Sequence, residues 1–194
     1  MFATEIATVA LAYVMGCLNA SYYLVRWFDG RDIRELGSGN AGARNAGRIF
    51  GNRVFALVFV LDVLKGMLAV LTAWAWVPHV MPLCAIAVTV GHIFPVQLRW
   101  HGGKGVAAAI GALAMLDVVV LAVIAASFCV TRLTLRLTMP AGMLAFLCGS
   151  AFALVFRQPG IGFATLTLTA LLLFTHLGVD FWRAPFRDSN TRDR

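Results

Sequence analysis

The sequence predicts an all-α, polytopic membrane bundle of about seven hydrophobic helices, two of them short, and three observations carry that reading. Of the 194 residues, 60% are hydrophobic and 13% charged, with a mean hydropathy of +0.83, which excludes a soluble domain. Apolar runs of about 18 or more residues recur, the length a helix needs to cross hydrocarbon. The basic residues gather between particular runs, as they do in the cytoplasmic loops of membrane proteins.

The expected spans are 3–25, 54–76, 80–98, 105–116, 118–131, 138–156 and 160–180. The first opens on Met1-Phe2-Ala3-Thr4-Glu5, with no basic leader and no small-residue cleavage site. It therefore reads as a retained span and not a signal peptide. The stretch from Gly105 to Thr131 fits either one long tilted helix or a hairpin turning near Leu116-Asp117. Charge parity separates the two. With a hairpin, Arg26, Arg31, Arg34, Arg44, Arg48, Arg53, Arg99, Lys104, Arg132, Arg136 and the tail arginines share one side, leaving Arg157 and the Pro78-His79 turn opposite. The positive-inside rule favours the hairpin, with the N-terminus outside and the C-terminus cytoplasmic. A helix of about 12 residues reaches only about 18 Å, so the ends of short helices need neighbours or polar space. Asp117 is expected as a solvated turn residue. Residues 1–182 form a single membrane domain on this reading, and 183–194 a short polar cytoplasmic tail.

The net charge of +7 is nearly all arginine, and no nucleic-acid-binding signature accompanies it. Cys17, Cys84, Cys129 and Cys148 sit singly in apolar runs, without zinc or disulfide spacing, and read as buried, inert thiols. No internal repeat is evident, which counts against a transporter built from inverted repeats.

Two segments are too polar and too patterned for generic connections. The first runs Gly37-Ser38-Gly39-Asn40-Ala41-Gly42-Ala43-Arg44-Asn45-Ala46-Gly47-Arg48. Its glycines allow successive N–H groups to point into one concavity, and the Arg44 and Arg48 guanidinium forks match phosphate oxygens. The same composition would serve a cytoplasmic turn carrying positive-inside arginines. The second, Trp100-His101-Gly102-Gly103-Lys104-Gly105, lies at an expected helix start, where free N–H groups and the dipole favour an anion. It lacks the strand, spacing and Ser/Thr of a Walker loop.

Other polar residues stand at membrane depth. Asp62 and Lys65 are spaced i, i+3 on one helix face, either as an orienting ion pair or with Lys65 in a cationic pocket. His92 is open to an acid–base role, phosphate donation or a structural bond to a carbonyl. His176 and Asp180, at i, i+4, close the last span as a site pair or an interfacial pair. His79 lies on the far side.

The series Asp32-Ile33-Arg34, Gly37-Ser38-Gly39-Asn40, Gly42-Ala43, Asn45, Arg48, Leu61-Asp62-Val63-Leu64-Lys65-Gly66, Gly91-His92-Ile93-Phe94-Pro95 and Gly102-Gly103-Lys104-Gly105 resembles the bacterial acyl-phosphate:glycerol-3-phosphate acyltransferases of the PlsY type. The resemblance covers about the first two-thirds of the chain in consistent order. It implies a seven-helix membrane protein of the bacterial cell membrane with a cytoplasm-facing site. It also implies transfer of an acyl group from acyl phosphate to the sn-1 hydroxyl of glycerol 3-phosphate, giving lysophosphatidic acid without acyl-CoA, metal or other cofactor. Carried onto this chain, Ser38, Asn40, Lys104 and His176 are the expected catalytic residues. Gly37, Gly39, Gly42, Arg44, Asn45, Arg48, Lys65, His92, Gly102, Gly103 and Gly105 are the expected phosphate-binding residues. Acyl phosphate, glycerol 3-phosphate and the bilayer are the expected partners.

The chain also departs from the family pattern. Arg44 replaces a threonine and Cys17 a serine, Thr134 and Thr138 stand where serines are usual, and Val179 replaces an asparagine. These departures keep the phosphate framework and alter the acceptor side. They leave open a homologue acting on another hydroxyl acceptor, or a non-catalytic binder of lipid phosphate. A small transporter fits composition alone, but not cationic loops gathered on one face.

Overall fold

The computed structural model describes residues 2–178. Among the described residues nine α-helices follow one another: α1 (Phe2–Cys17), α2 (Ala20–Phe28), α3 (Ala43–Phe50), α4 (Asn52–Trp76), α5 (Met81–Ile93), α6 (Val106–Leu116), α7 (Val118–Leu135), α8 (Thr138–Phe156) and α9 (Pro159–Leu177). Six segments are long and apolar enough to span a membrane, α1 and α2 counting together as one, and α6 is a shorter apolar helix. Val179, Asp180 and the expected tail at 183–194 lie outside the described residues.

The hairpin expected over 105–131 is present. Asp117 is extended between α6 and α7, and its Oδ1 accepts the Val119 and Val120 N–H groups at 2.9 and 3.0 Å. That caps α7, and Oδ2 also lies 2.9 Å from Arg157 Nε. The expectation of a solvated turn residue is therefore corrected, because a carboxylate that caps a helix and pairs with arginine has no oxygen left for bulk water. At the same end His79 Nε2 lies 3.1 Å from Glu5 Oε1.

Of the two helices in this hairpin, both expected to be short, only α6 is. The α7 helix continues past Thr131 to Leu135 and stops where Arg136 turns left-handed at φ 55°. Eleven residues give α6 a length of about 16 Å. Its amino end is met by protein: Gly102 and Gly103 N–H donate to the Ile93 and His92 carbonyls at 3.0 Å, and Thr175 Oγ1 donates to the Lys104 carbonyl at 3.1 Å. Backbone without helix is tolerated at this depth because these polar groups find partners in the protein.

The first expected span is broken. Asn19, fully buried and extended, separates α1 from α2, and its Nδ2 donates to the His92 carbonyl at 3.3 Å. Carbonyls left over by the break are used again, Cys17 O by Gln97 Nε2 at 2.6 Å and Leu18 O by Lys65 Nζ at 2.8 Å.

Helices in lipid associate through close packing more than through apolar burial, so small residues line the contacts. Gly66 of α4 faces Ala108 and Ala112 of α6, and Gly111 of α6 faces Val63; a Cβ on either glycine would overlap the opposing backbone. One apolar core joins Ala12, Val70, Ala73, Cys84, Val88 and Ala112. A second joins Leu113, Ile124, Phe146, Leu168 and Leu172. Trp27 and Trp100 are exposed near the basic end, Trp74 and Trp76 near the other, as suits side chains at two membrane interfaces. Of the four cysteines, Cys17 and Cys84 are buried as expected, whereas Cys129 and Cys148 are exposed on the bundle surface. The correction follows from apolar residues facing lipid as readily as core.

Candidate active site

The polar stretch after Gly37 is only half a loop. Ala43–Phe50 is helical, because Ala43, Arg44, Ala46 and Arg48 are good helix formers behind an extended Gly42. On α3, Arg44 and Arg48 are one turn apart and both side chains reach the same cavity. Ala46 turns the other way, and Asn45, though it borders the cavity, is buried. Asn45, expected on the phosphate, is committed to the protein: Oδ1 accepts Ser38 N–H at 2.9 Å, and Nδ2 donates to the Ile33 and Leu36 carbonyls at 3.2 and 2.8 Å. Gly37 and Gly39 take positive φ of 59° and 75°, which lets this turn close.

The two glycine-rich segments touch. Ala41 N–H donates to the Gly102 carbonyl at 3.3 Å. Arg34, paired with Asp32 at 2.6 Å, donates from Nη1 to the Leu98 carbonyl at 2.7 Å. Gly102 and Gly103 lie flat along His92–Pro95, and a Cβ at Gly103 would overlap the His92 imidazole. Gly37, Gly39, Gly102 and Gly103 shape the backbone without lining the cavity, whereas Gly42 and Gly105 line it.

That cavity has a volume of about 1000 Å³. At its polar end stand Ser38, Asn40, Arg44, Arg48, Lys104 and His176. The rest is apolar, bounded by Phe55 and Phe59 of α4, Leu121 and Phe128 of α7, Met143 and Phe146 of α8, and Leu172 of α9. Among the described residues that line it, Asp62 is the one acid, and Lys65 Nζ lies 2.7 Å from it. Arg44, Arg48 and Lys104 together set a positive potential at the mouth.

Two details suit a reacting group. Asn40 Oδ1 is buried with no hydrogen-bond partner among the described residues, an acceptor placed for a donor on a substrate. His176 Nδ1 lies 2.7 Å from the Leu172 carbonyl, so Nδ1 carries the proton and a neutral ring presents the Nε2 lone pair. Thr138 also lines the cavity, whereas Thr134 is exposed and bonds back to the Val130 carbonyl at 3.2 Å.

Lys65, expected in the cationic pocket, does not line it. Its Nζ bonds Leu18 O and His92 Nδ1, each at 2.8 Å, and pairs with Asp62 Oδ1 at 2.7 Å. Enclosed by these three partners and 8% exposed, the ammonium is turned away from the cavity. Sequence spacing revealed the Asp62–Lys65 pair, but gave no signal that His92, 27 residues on, completes it.

A family model for glycerol-3-phosphate acyltransferase matches residues 6–179. A glycerol-3-phosphate acyltransferase of Myxococcus xanthus (strain DK1622) is 36% identical over 179 residues, 89% of this chain and 92% of that protein. One from Thermoanaerobacter pseudethanolicus is 45% identical over 107 residues, and there the match spans about half of each chain, 55% and 54%. The crystal structure of PlsY (YgiH), an integral membrane glycerol 3-phosphate acyltransferase, in its glycerol 3-phosphate form superposes with a TM-score of 0.80 at 26% identity, covering 98% of this chain and 94% of that one. Its lysophosphatidic acid form gives a TM-score of 0.77, covering 97% and 90%.

Proposed function

Because the chain belongs to the glycerol-3-phosphate acyltransferase family, we propose that it transfers an acyl group from acyl phosphate to the sn-1 hydroxyl of glycerol 3-phosphate. The products are lysophosphatidic acid and inorganic phosphate. The observation that carries the reading is the continuity of a cationic mouth with an apolar cavity in one space of about 1000 Å³. An acyl phosphate has that same division, an anion joined to a long apolar chain.

The chemistry needs no covalent enzyme intermediate. The acceptor hydroxyl oxygen attacks the acyl carbonyl carbon, the bond from that carbon to the bridging phosphate oxygen breaks, and the hydroxyl proton passes to the departing phosphate. Lys104, Arg48 and the first N–H groups of α6 bind the departing phosphate and stabilise its growing charge. Ser38 and Asn40 hold the acceptor hydroxyl, with Asn40 Oδ1 as its hydrogen-bond acceptor. Arg44 binds the acceptor's own phosphate, and His176 Nε2 receives an acceptor hydroxyl. Holding two anions side by side supplies the proximity from which the rate gain comes. By charge parity the mouth faces the cytoplasm of a bacterial cell, with the N-terminus outside.

The test supplies purified protein with acyl phosphate and labelled glycerol 3-phosphate and follows phosphate and lysophosphatidic acid. Turnover that Lys104→Ala abolishes is the expected result. Equal, negligible turnover by wild type and Lys104→Ala would leave a lipid-phosphate binder, and transfer only to another alcohol would identify a different acceptor.

A further inference from the structure

The buried cluster of Asp62, Lys65 and His92 is not explained by substrate binding. The three residues are 1%, 8% and 2% exposed, on two different helices. Charges are costly at this depth, and retaining an ion pair there calls for a reason beyond stability. The contacts supply one. Lys65 Nζ approaches His92 Nδ1 at 2.8 Å while Asp62 Oδ1, 2.7 Å from Nζ, balances the ammonium charge. A donor aimed at Nδ1 requires a lone pair there, so the ring proton sits on Nε2. The ring edge carrying Nε2 packs against Gly103, next to Lys104, and His92 lines the cavity. The His92 carbonyl accepts Gly103 N–H at 3.0 Å and Asn19 Nδ2 at 3.3 Å. One residue thus couples the buried pair to the turn that carries Lys104.

We propose that Asp62 and Lys65 are positioning residues that hold His92 as its Nε2–H tautomer with the ring edge seated against Gly103, and so set the turn that aims Lys104 at the phosphate of the acyl donor. Neither touches the substrate. Lys65 supplies the orienting hydrogen bond, Asp62 keeps Lys65 charged, and the Asn19 break supplies the Leu18 carbonyl for its third donor. The acyl-phosphate donor rests on the acyltransferase reading; the tautomer does not.

The experiment uses protein with 15N-labelled histidine in bicelles, with the His92 signals assigned by their loss in His92→Gln. Asp62→Asn/Lys65→Met removes both charges together, so that no unpaired ion is left buried. In wild type the His92 ring should give one pyridine-like Nδ1 and one protonated Nε2 resonance. In the double variant that pattern should give way to mixed tautomers. The double variant should also lose about 100-fold in kcat, the scale of a misplaced catalytic group, with both KM values within about threefold of wild type. A wild-type His92 protonated on Nδ1, or on both nitrogens, would overturn the proposal. So would a double variant that keeps the wild-type tautomer and loses only affinity for one substrate, since Lys65 would then be a substrate ligand. Should wild type fail to transfer acyl groups at all, the acyltransferase reading falls while the tautomer measurement still decides this one.

Discussion

The Asn45 side-chain oxygen accepts the Ser38 backbone N–H at 2.9 Å, while its amide nitrogen spans back to the Ile33 and Leu36 carbonyls. A buried carboxamide thereby does for this turn what a helix or sheet ladder does elsewhere. It satisfies the Ser38 N–H, gives the Ile33 and Leu36 carbonyls a second donor each, and fixes where Ser38 and Asn40 emerge at the cavity.

Asn45→Leu preserves volume and removes all three bonds. Only the Ser38 N–H is then left unpaired, because the Ile33 and Leu36 carbonyls keep the Leu36 and Gly39 N–H groups at 3.2 and 3.0 Å, so the variant should lose roughly 2 kcal/mol. For a chain of this size that is a drop in apparent Tm of roughly 6 °C, readable by thermal unfolding in detergent. Turnover should fall even well below the melting transition, because Ser38 loses its anchor. Unchanged unfolding would mean that the turn is held by other contacts.

Gly103→Ala places a methyl group into the His92 imidazole. The ring cannot retreat, since Lys65 Nζ stands 2.8 Å from its other nitrogen. Displacement of the ring or of the Lys104 turn should cost about 100-fold in kcat. Gly160→Ala is the control: its Cβ meets only Pro82 Cγ at 3.5 Å, so activity should be kept and stability slightly raised. Equal activities of the two variants, measured side by side, would detach His92 from the site.

What the sequence made legible follows from which forces leave a one-dimensional trace. Long apolar runs mark spans, and arginine parity alone chose the hairpin at Asp117 over a single helix. Glycine with arginine marked both loops of the mouth. The α3 helix was easily missed, because its apolar face, Ala43, Ala46 and Phe50, is mostly alanine and spans only eight residues behind a glycine-rich turn. The Asn19 break was hidden inside an apolar run, and its cause, the His92 carbonyl 73 residues away, is a tertiary contact. Lys65 looked like a pocket cation for the same reason: its charge is visible in the sequence, and its three partners are not.

Gly142 of α8 lines the cavity with nothing within 4 Å of where its Cβ would be. Leucine at this position has room to enter without disturbing the packing of α8. Gly142→Leu should therefore fold and hydrolyse or transfer short acyl donors normally, while discriminating against long ones. One or two methylenes excluded from an apolar pocket correspond to roughly 10–200-fold in kcat/KM. A series of acyl phosphates of increasing chain length measures it, and an unshifted preference would place the acyl chain elsewhere.

Arg44 stands one helical turn from Arg48 at the mouth, where threonine is the family's residue. No acidic side chain is positioned to neutralise it among those that line the cavity, Asp62 being held by Lys65. An exposed guanidinium in such a setting strengthens binding of a second phosphate, and bidentate hydrogen bonds would make that contribution specific. Partial exposure discounts it, which leaves a charge-assisted bond worth about 1–2 kcal/mol. Arg44→Thr should then raise KM for glycerol 3-phosphate by roughly 5–30-fold, leave kcat within a few-fold, and flatten the salt dependence of KM. Steady-state kinetics at two ionic strengths measures all three. A KM that stays put, with kcat equal to or above wild type, would make Arg44 a tolerated surface charge with no part in holding the acceptor phosphate.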